Sequence, residues 1–174
     1  MSNATLSVSL FYNDYDRVRT VEPPFPLMIM NNMYGHAYGV EAWAAYEPTD
    51  WWRLKASATT LHKVLRVRPG HVSFFGVQQE GNDPGHQFQL RSEMSLTPTV
   101  EMDTALRVVG SLPNPRVPAY AAMDARLGWN ATKHVQLSLA SYNLTNAAHT
   151  EFVVSSPPRR DIRRSVYVTA RWSF

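Results

Sequence analysis

Arg164-Ser165-Val166-Tyr167-Val168-Thr169-Ala170-Arg171-Trp172-Ser173-Phe174 is the stretch whose reading decides the fold. Taken every second residue, Val166, Val168, Ala170, Trp172 and Phe174 are apolar, while Ser165, Tyr167, Thr169, Arg171 and Ser173 are polar or amphipathic. Successive side chains of a β-strand point to opposite faces, so this alternation predicts a strand with one oily and one wet side. Trp-x-Phe on the oily side suits a lipid–water boundary, where aromatic rings settle, better than the rim of a soluble sheet.

The same two-faced pattern recurs upstream. Leu6–Tyr12, Tyr38–Tyr46, Trp52–Ala58, Phe88–Leu96, Val100–Val108, Ala121–Trp129 and Val135–Leu139 each alternate, which with the last stretch predicts eight strands. Turn residues at Pro48, Pro98 and Ala131 make short connections. Longer ones are expected near residues 21–33, 65–86, 111–119 and 145–162, the first containing Pro23-Pro24-Phe25-Pro26 and a Met-rich run to Met33. Short turns at one rim and long loops at the other are the habit of outer-membrane barrels.

Charge placement sharpens the reading. Glu41, Glu47, Arg53, Lys55, Arg91, Glu93, Glu101, Asp103, Arg107, Asp124, Arg126 and Arg171 all fall opposite the apolar set of their own strands. An Arg or Lys facing lipid at mid-membrane costs about 2–4 kcal/mol, so this segregation is what a spanning wall requires. Tyr46, Trp52, Trp129, Trp172 and Phe174 share the apolar face and the short-turn ends, which predicts one aromatic girdle.

Bulk properties exclude more than they assign. In 174 residues no apolar run approaches the roughly 18 of a transmembrane helix, a test to which barrel strands of about 9–11 residues are blind. Cys is absent, which removes disulfide frameworks and thiolate metal sites. The net charge of +3 is spread singly along the strands rather than gathered in a patch, against nucleic-acid binding. Met1-Ser2-Asn3-Ala4 resembles a cloning scar, so residues 1–4 are set aside from the expected domain, 5–174. The first residues hold no basic-then-apolar export signal, which points to a removed signal or to a part of something longer.

Several stretches resemble the C-terminal part of TonB-dependent outer-membrane receptors. They are Gly39-Val40-Glu41 with Pro48-Thr49-Asp50-Trp51, then Val117-Pro118-Ala119-Tyr120 with Asp124, Leu137–Leu144 closing on Tyr142-Asn143-Leu144, and Arg164–Phe174. Their order and spacing span nearly the whole chain. The resemblance implies an all-β antiparallel meander of eight transmembrane strands, one part of a 22-stranded barrel in the bacterial outer membrane. It implies uptake of a scarce nutrient, most often a ferric siderophore. The plug and the energy-coupling box have no counterpart here, so the TonB system would act through another part and import is not expected of these strands alone. It also implies membrane lipid and lipopolysaccharide as surroundings, and makes Tyr167, Trp172 and Phe174 the signal read by the barrel-assembly machinery.

Sites are less legible. His36, His71, His86 and His149 fall near the long-loop rim with Met28, Met30 and Met33, but without the spacing of a metal site. The residues expected to touch an extracellular ligand are His36, His71, Phe74, Phe75, Arg159 and Arg160; the phenylalanines offer stacking, and the arginines, with Arg163 and Arg164, suit phosphate or an anionic chelate. Packing of the phenylalanines into the loop, and a solvated basic loop beside Asp161, are the plainer readings. Two glycosylation sequons, at Asn130 and Asn143, are incidental in a bacterial setting. No phosphate loop, nucleophile elbow or zinc motif is present, so no catalysis, cofactor or metal is expected. Two alternatives stay open: a complete eight-stranded barrel with a structural or adhesive role, and a soluble β-sandwich binding module.

Overall fold

Alternating residues with short polar turns between them leave the chain one economical arrangement, each strand pairing with the next. The structure, a computed structural model, describes residues 3–153 and 161–174. Its long strands are β1 (Ala4–Glu22), β2 (Met28–Thr49), β3 (Trp52–Val67), β4 (His86–Thr97), β5 (Val100–Val109), β6 (Tyr120–Asn130), β7 (Val135–Tyr142) and β10 (Ser165–Trp172). They form one antiparallel sheet in the order β1-β2-β3-β4-β5-β6-β7-β10. A short ladder of β8 (Ala148–His149) with β9 (Ile162–Arg163) lies in the connection before β10. The expected eight-stranded meander is what forms.

Register carries the faces across the whole sheet. One rung runs Tyr46, Leu54, Ser92, Thr104, Ala125, Ser141, Val166, and its neighbour toward the long loops runs Ala44, Ala56, Leu90, Leu106, Met123. The rung between them, Lys55, Arg91, Ala105, Asp124, and the next toward the short turns, Arg53, Glu93, Asp103, Arg126, carry the charges and face the other way. A one-residue slip would reverse every side chain, so the pattern fixes the pairing.

No second layer covers the apolar face among the described residues. Leu6 is 72% exposed and Val168 77%. Among the described residues the buried hydrophobic ones amount to Met33, Ala37, Leu112, Val117 and Ala122, too few for the core of a soluble sandwich. Nor is the barrel closed at eight: β1 and β10 lie at opposite edges and do not pair. The sheet is open, as a part of a larger barrel wall is.

Two boundaries differ from expectation. Ala4 pairs with Tyr46, so β1 begins two residues before the expected Leu6. The expected loop at 21–33 is a turn over residues 23–27, and Met28, Met30 and Met33 belong to β2. The upper hairpin is largely exposed, with Thr20, Glu22 and Met33 buried, and backbone pairing holds it without any one-sided hydrophobic pattern. Two register shifts interrupt that pairing, between Tyr15 and Val18 and between Val18 and Thr20.

Candidate functional site: a two-faced wall and its mouth

The charged face pairs largely with itself. Lys55 Nζ lies 2.8 Å from Glu93 Oε1, Arg53 Nε 2.6 Å from Glu47 Oε1, and Arg126 Nη1 2.8 Å from Asp103 Oδ2. Arg107 reaches both Asp124, at 3.7 Å, and Glu151, at 3.8 Å. These pairs are partly exposed, so each contributes at most about 1 kcal/mol. Their effect is chemical: they line the face with fixed charge of both signs, which keeps it wet. Among the described residues Arg91 makes no ion pair. It sits directly across from Lys55, leaving a concentration of positive charge half-way along the wall.

The aromatic residues of the opposite face fall on a slanted line. Trp52 lies two residues below the Tyr46 rung, Trp129 four residues below and Trp172 six residues below, over one, four and six strand steps respectively. One residue of rise per strand step corresponds to a slant of about 35° for spacings of roughly 3.3 and 4.8 Å. Strands tilted by that angle would bring Tyr46, Trp129 and Trp172 to one height, with Trp52 about one residue below them. Tyr46, Trp129, Trp172 and Phe174 are exposed, while the Trp52 indole donates a 2.8 Å hydrogen bond to Ser92 Oγ.

A second row, absent from the sequence reading, occupies the other end of the same face. Tyr12, Tyr38 and His62 share a rung; His36 lies above it and His86 below. Tyr12 stacks on His36 at 5.7 Å, His36 on Tyr38 at 6.0 Å, and Tyr38 tilts against His62 at 5.1 Å. Tyr38 to Tyr46 is eight residues, and His62 to Trp52 is ten. At about 3.3 Å per residue and a tilt near 35°, the rows stand roughly 22–27 Å apart, the height of the apolar band of a membrane barrel, about 25 Å. His36 therefore lies on the apolar side, away from the wall that carries the charges.

The loop mouth collects the other expected residues. The β3–β4 connection folds back over the sheet: Lys63 Nζ donates to the Gln79 carbonyl and lies 2.6 Å from Asp83 Oδ2, and the Glu80 carboxylate accepts the Leu65 N–H. Phe74 and Phe75 meet edge to face at 5.1 Å, and both are about half exposed. His71 does not join them. Its Nδ1 lies 3.1 Å from Glu22 Oε2 and 2.9 Å from Asn32 Nδ2, against the β1–β2 hairpin. Arg159 and Arg160 lie outside the described residues. Arg164 donates to the backbone carbonyl of Leu144. Of the residues expected to form an assembly signal, Trp172 lies on the apolar face, and Tyr167 is on the charged side against Tyr142 at 5.7 Å.

Glu22 explains how the loop is held. Its carboxylate is buried above the apolar band, accepting from the Thr20 hydroxyl at 2.5 Å and from Asn32 Nδ2 at 3.0 Å. The Thr20 hydrogen bond, helped by those of Asn32 and His71 and opposed by burial, holds its pKa below the usual glutamate value. A depressed carboxylate stabilises the docked state above its ordinary pKa and loses that contribution as pH falls through the lowered value. Acidification below the usual glutamate range is therefore expected to release the loop, read as faster hydrogen exchange at the Phe74 amide, which donates to the Val21 carbonyl. Thr20→Ala should move the release to higher pH.

A third cluster, which the sequence reading missed, stands by the β7–β10 connection. His149 stacks on Tyr120 at 4.1 Å, and its Nε2 lies 3.0 Å from Glu151 Oε1, which also accepts from the Tyr120 hydroxyl at 3.3 Å. Among the described residues no three His, Asp or Glu side chains converge to hold a metal ion.

Residues 2–144 match the family described as TonB dependent receptor-like, beta-barrel. Among solved structures, the siderophore receptor PiuA from Acinetobacter baumannii is similar over 98% of this chain and 26% of its own, at 19% identity and a TM-score of 0.80. The ferric-catecholate import receptor Fiu from E. coli K12, in its closed form, is similar over 99% and 25%, at 20% identity and 0.75. The copper transporter OprC is similar over 100% and 29%, at 13% identity and 0.71. At such identities the likeness is one of fold, and the chain spans about a quarter of the length of these structures. No curated protein matches. TonB-dependent receptor barrels are outer-membrane proteins of Gram-negative bacteria. The family match over most of the chain and the open, two-faced meander agree: this chain belongs to the TonB-dependent receptor-like β-barrel family.

Proposed function

We propose that these strands are a wall segment of an outer-membrane receptor that takes up a ferric siderophore with energy delivered through the TonB system. The observation that carries the reading is the continuous apolar face, bounded by two aromatic rows about one membrane apart and backed by a face of paired charges. An apolar exterior meets lipid and a charged interior holds water, so a polar solute has a wet surface along which to move. The aromatic rows mark the two lipid–water boundaries, with lipopolysaccharide against the His- and Tyr-bearing one. PiuA and Fiu, by their descriptions, serve siderophores and ferric catecholates; OprC serves copper on the same fold, so the choice of iron rests on the first two.

The bare edges of β1 and β10 support a larger barrel. An unpaired backbone group in hydrocarbon costs several kcal/mol, and each edge presents a row of them, so further strands must pair there. Contact with the barrel-assembly machinery would fall on β10 and the residues after it, through Trp172 on the lipid side, Tyr167 on the other and Phe174 just beyond the strand. Disrupting the gene in its own bacterium tests the reading. Under iron limitation, uptake of at least one radiolabelled ferric siderophore should fall and return on complementation. Unchanged uptake of every ferric siderophore offered, with loss of copper uptake instead, would overturn the assignment to iron.

A further inference from the structure

The β3–β4 connection builds a hollow of about 860 Å³ over the mouth end of β3, closed on its far side by the loop that leads into β6. Leu61, Phe74, Phe75, Val77 and Pro113 give it an apolar lining. Phe74 and Phe75 stand nearly perpendicular, at 86°, with 56% and 51% of their surfaces exposed. Such a pair on a free loop would collapse onto itself. Here three contacts spread it: the Phe74 N–H donates to the Val21 carbonyl at 2.6 Å, the Asn114 N–H donates to the Gly81 carbonyl at 3.2 Å, and Lys63 holds Asp83. Gly76, at a φ of +57°, turns the chain back after the second ring. The platform is formed in advance, so a ligand need not order it.

The charge of the hollow is as definite as its shape. It holds one ammonium, Lys63, against two carboxylates, Glu80 and Asp83, with His62 and His86 at its edge. No arginine lines it among the described residues. The nearby guanidinium of Arg68 is occupied by Asp16 and by the ring of Tyr34. A site meant for a polyanion would carry the reverse balance.

Building on the receptor reading above, we infer that this hollow selects a metal chelate carrying flat aromatic rings and no net negative charge. Ring faces stack on Phe74 and Phe75, and the surplus carboxylate penalises each negative charge. A unit charge about 8 Å from another, at an effective dielectric of about 40, shifts affinity roughly sixfold.

Two probes with three aromatic rings each separate ring from charge: neutral ferric tris(benzohydroxamate) and trianionic ferric tris(catecholate). Titrated onto the full-length receptor in outer membranes, the neutral complex should bind at least about tenfold more tightly. Phe74→Ala and Phe75→Ala should each weaken it about tenfold, the value of one lost stacking contact. Phe74→Leu and Phe75→Leu, which keep bulk in the loop, should show the same loss if the alanine variants assemble poorly. Glu80→Gln keeps an oxygen for the Leu65 N–H, and should narrow the gap between the probes at least about sixfold, the effect on a single unit charge, while leaving the neutral complex unchanged. Equal or tighter binding of the catecholate complex, or benzohydroxamate binding indifferent to all four Phe variants, would overturn the inference and leave the receptor reading intact. Failure to bind either probe, with iron uptake independent of the gene, would overturn both.

Discussion

Leu106→Arg is expected to cost about 2–4 kcal/mol and to deplete the assembled receptor from the outer membrane. Leu106 stands opposite Leu90 on one side and Met123 on the other. Leu90 in turn faces Ala56, four residues from Trp52 and six from His62, so the site is close to mid-height of the apolar band. A guanidinium there has no partner and cannot reach either boundary. Ala105, one residue earlier, points to the charged face and pairs with Asp124. Ala105→Arg therefore adds the same charge at the same height on the wet side, and should assemble nearly as the unmodified protein does. Heat-modifiable gel migration of the two variants, side by side, reads the difference. Equal assembly of both would mean that the two faces have been assigned wrongly.

Gly39→Val is expected to cost at least the 1–3 kcal/mol typical of an overpacked site, and to do so through the β1–β2 hairpin. A Cβ on Gly39 would come within 1.9 Å of the Thr60 carbonyl oxygen and 2.6 Å of Phe11 Cζ. Phe11 lies directly across from Gly39 and lays its ring over the gap left by the missing side chain. The ring can swing away, but the Thr60 carbonyl belongs to the β2–β3 ladder and cannot move without opening it. The second variant Phe11→Ala, which only removes the cover, should cost less than Gly39→Val. Urea unfolding in lipid vesicles would measure both; a Gly39→Val midpoint equal to that of the unmodified protein would contradict the close approach.

Legibility in the sequence followed the membrane. From Val100 to Val108, or Val166 to Trp172, one side of the strand faces lipid and the other water, and the alternation states the register outright. Above that zone neither side faces lipid, so nothing in Met28-Ile29-Met30-Asn31-Asn32-Met33 distinguishes strand from loop, and the density of prolines before it favoured loop. The histidines were the harder case. His36, His62 and His86 each have an ordinary local context; only the register shows that they join Tyr12 and Tyr38 in a row on the apolar face. Their parity was available, since His36 falls in step with Tyr38 and Val40, but proximity to the loops suggested a ligand contact. Phe74 and Phe75 could be singled out because they are adjacent. The Glu22–His71 contact bridges 49 positions, and no local signal announces it.

The β1–β2 hairpin continues ten residues beyond Tyr38, to Met28, and then turns. At the strand tilt already described, those residues lift the turn roughly 25 Å above the upper row of rings. Phe25, at its apex, is 78% exposed. On the living cell this apex would be a promontory, standing clear of the membrane where an antibody or a phage fibre can reach it. Freed from lipid on one flank and from the pore on the other, its residues can be exchanged to escape such attackers while the ring of strands below goes on unchanged.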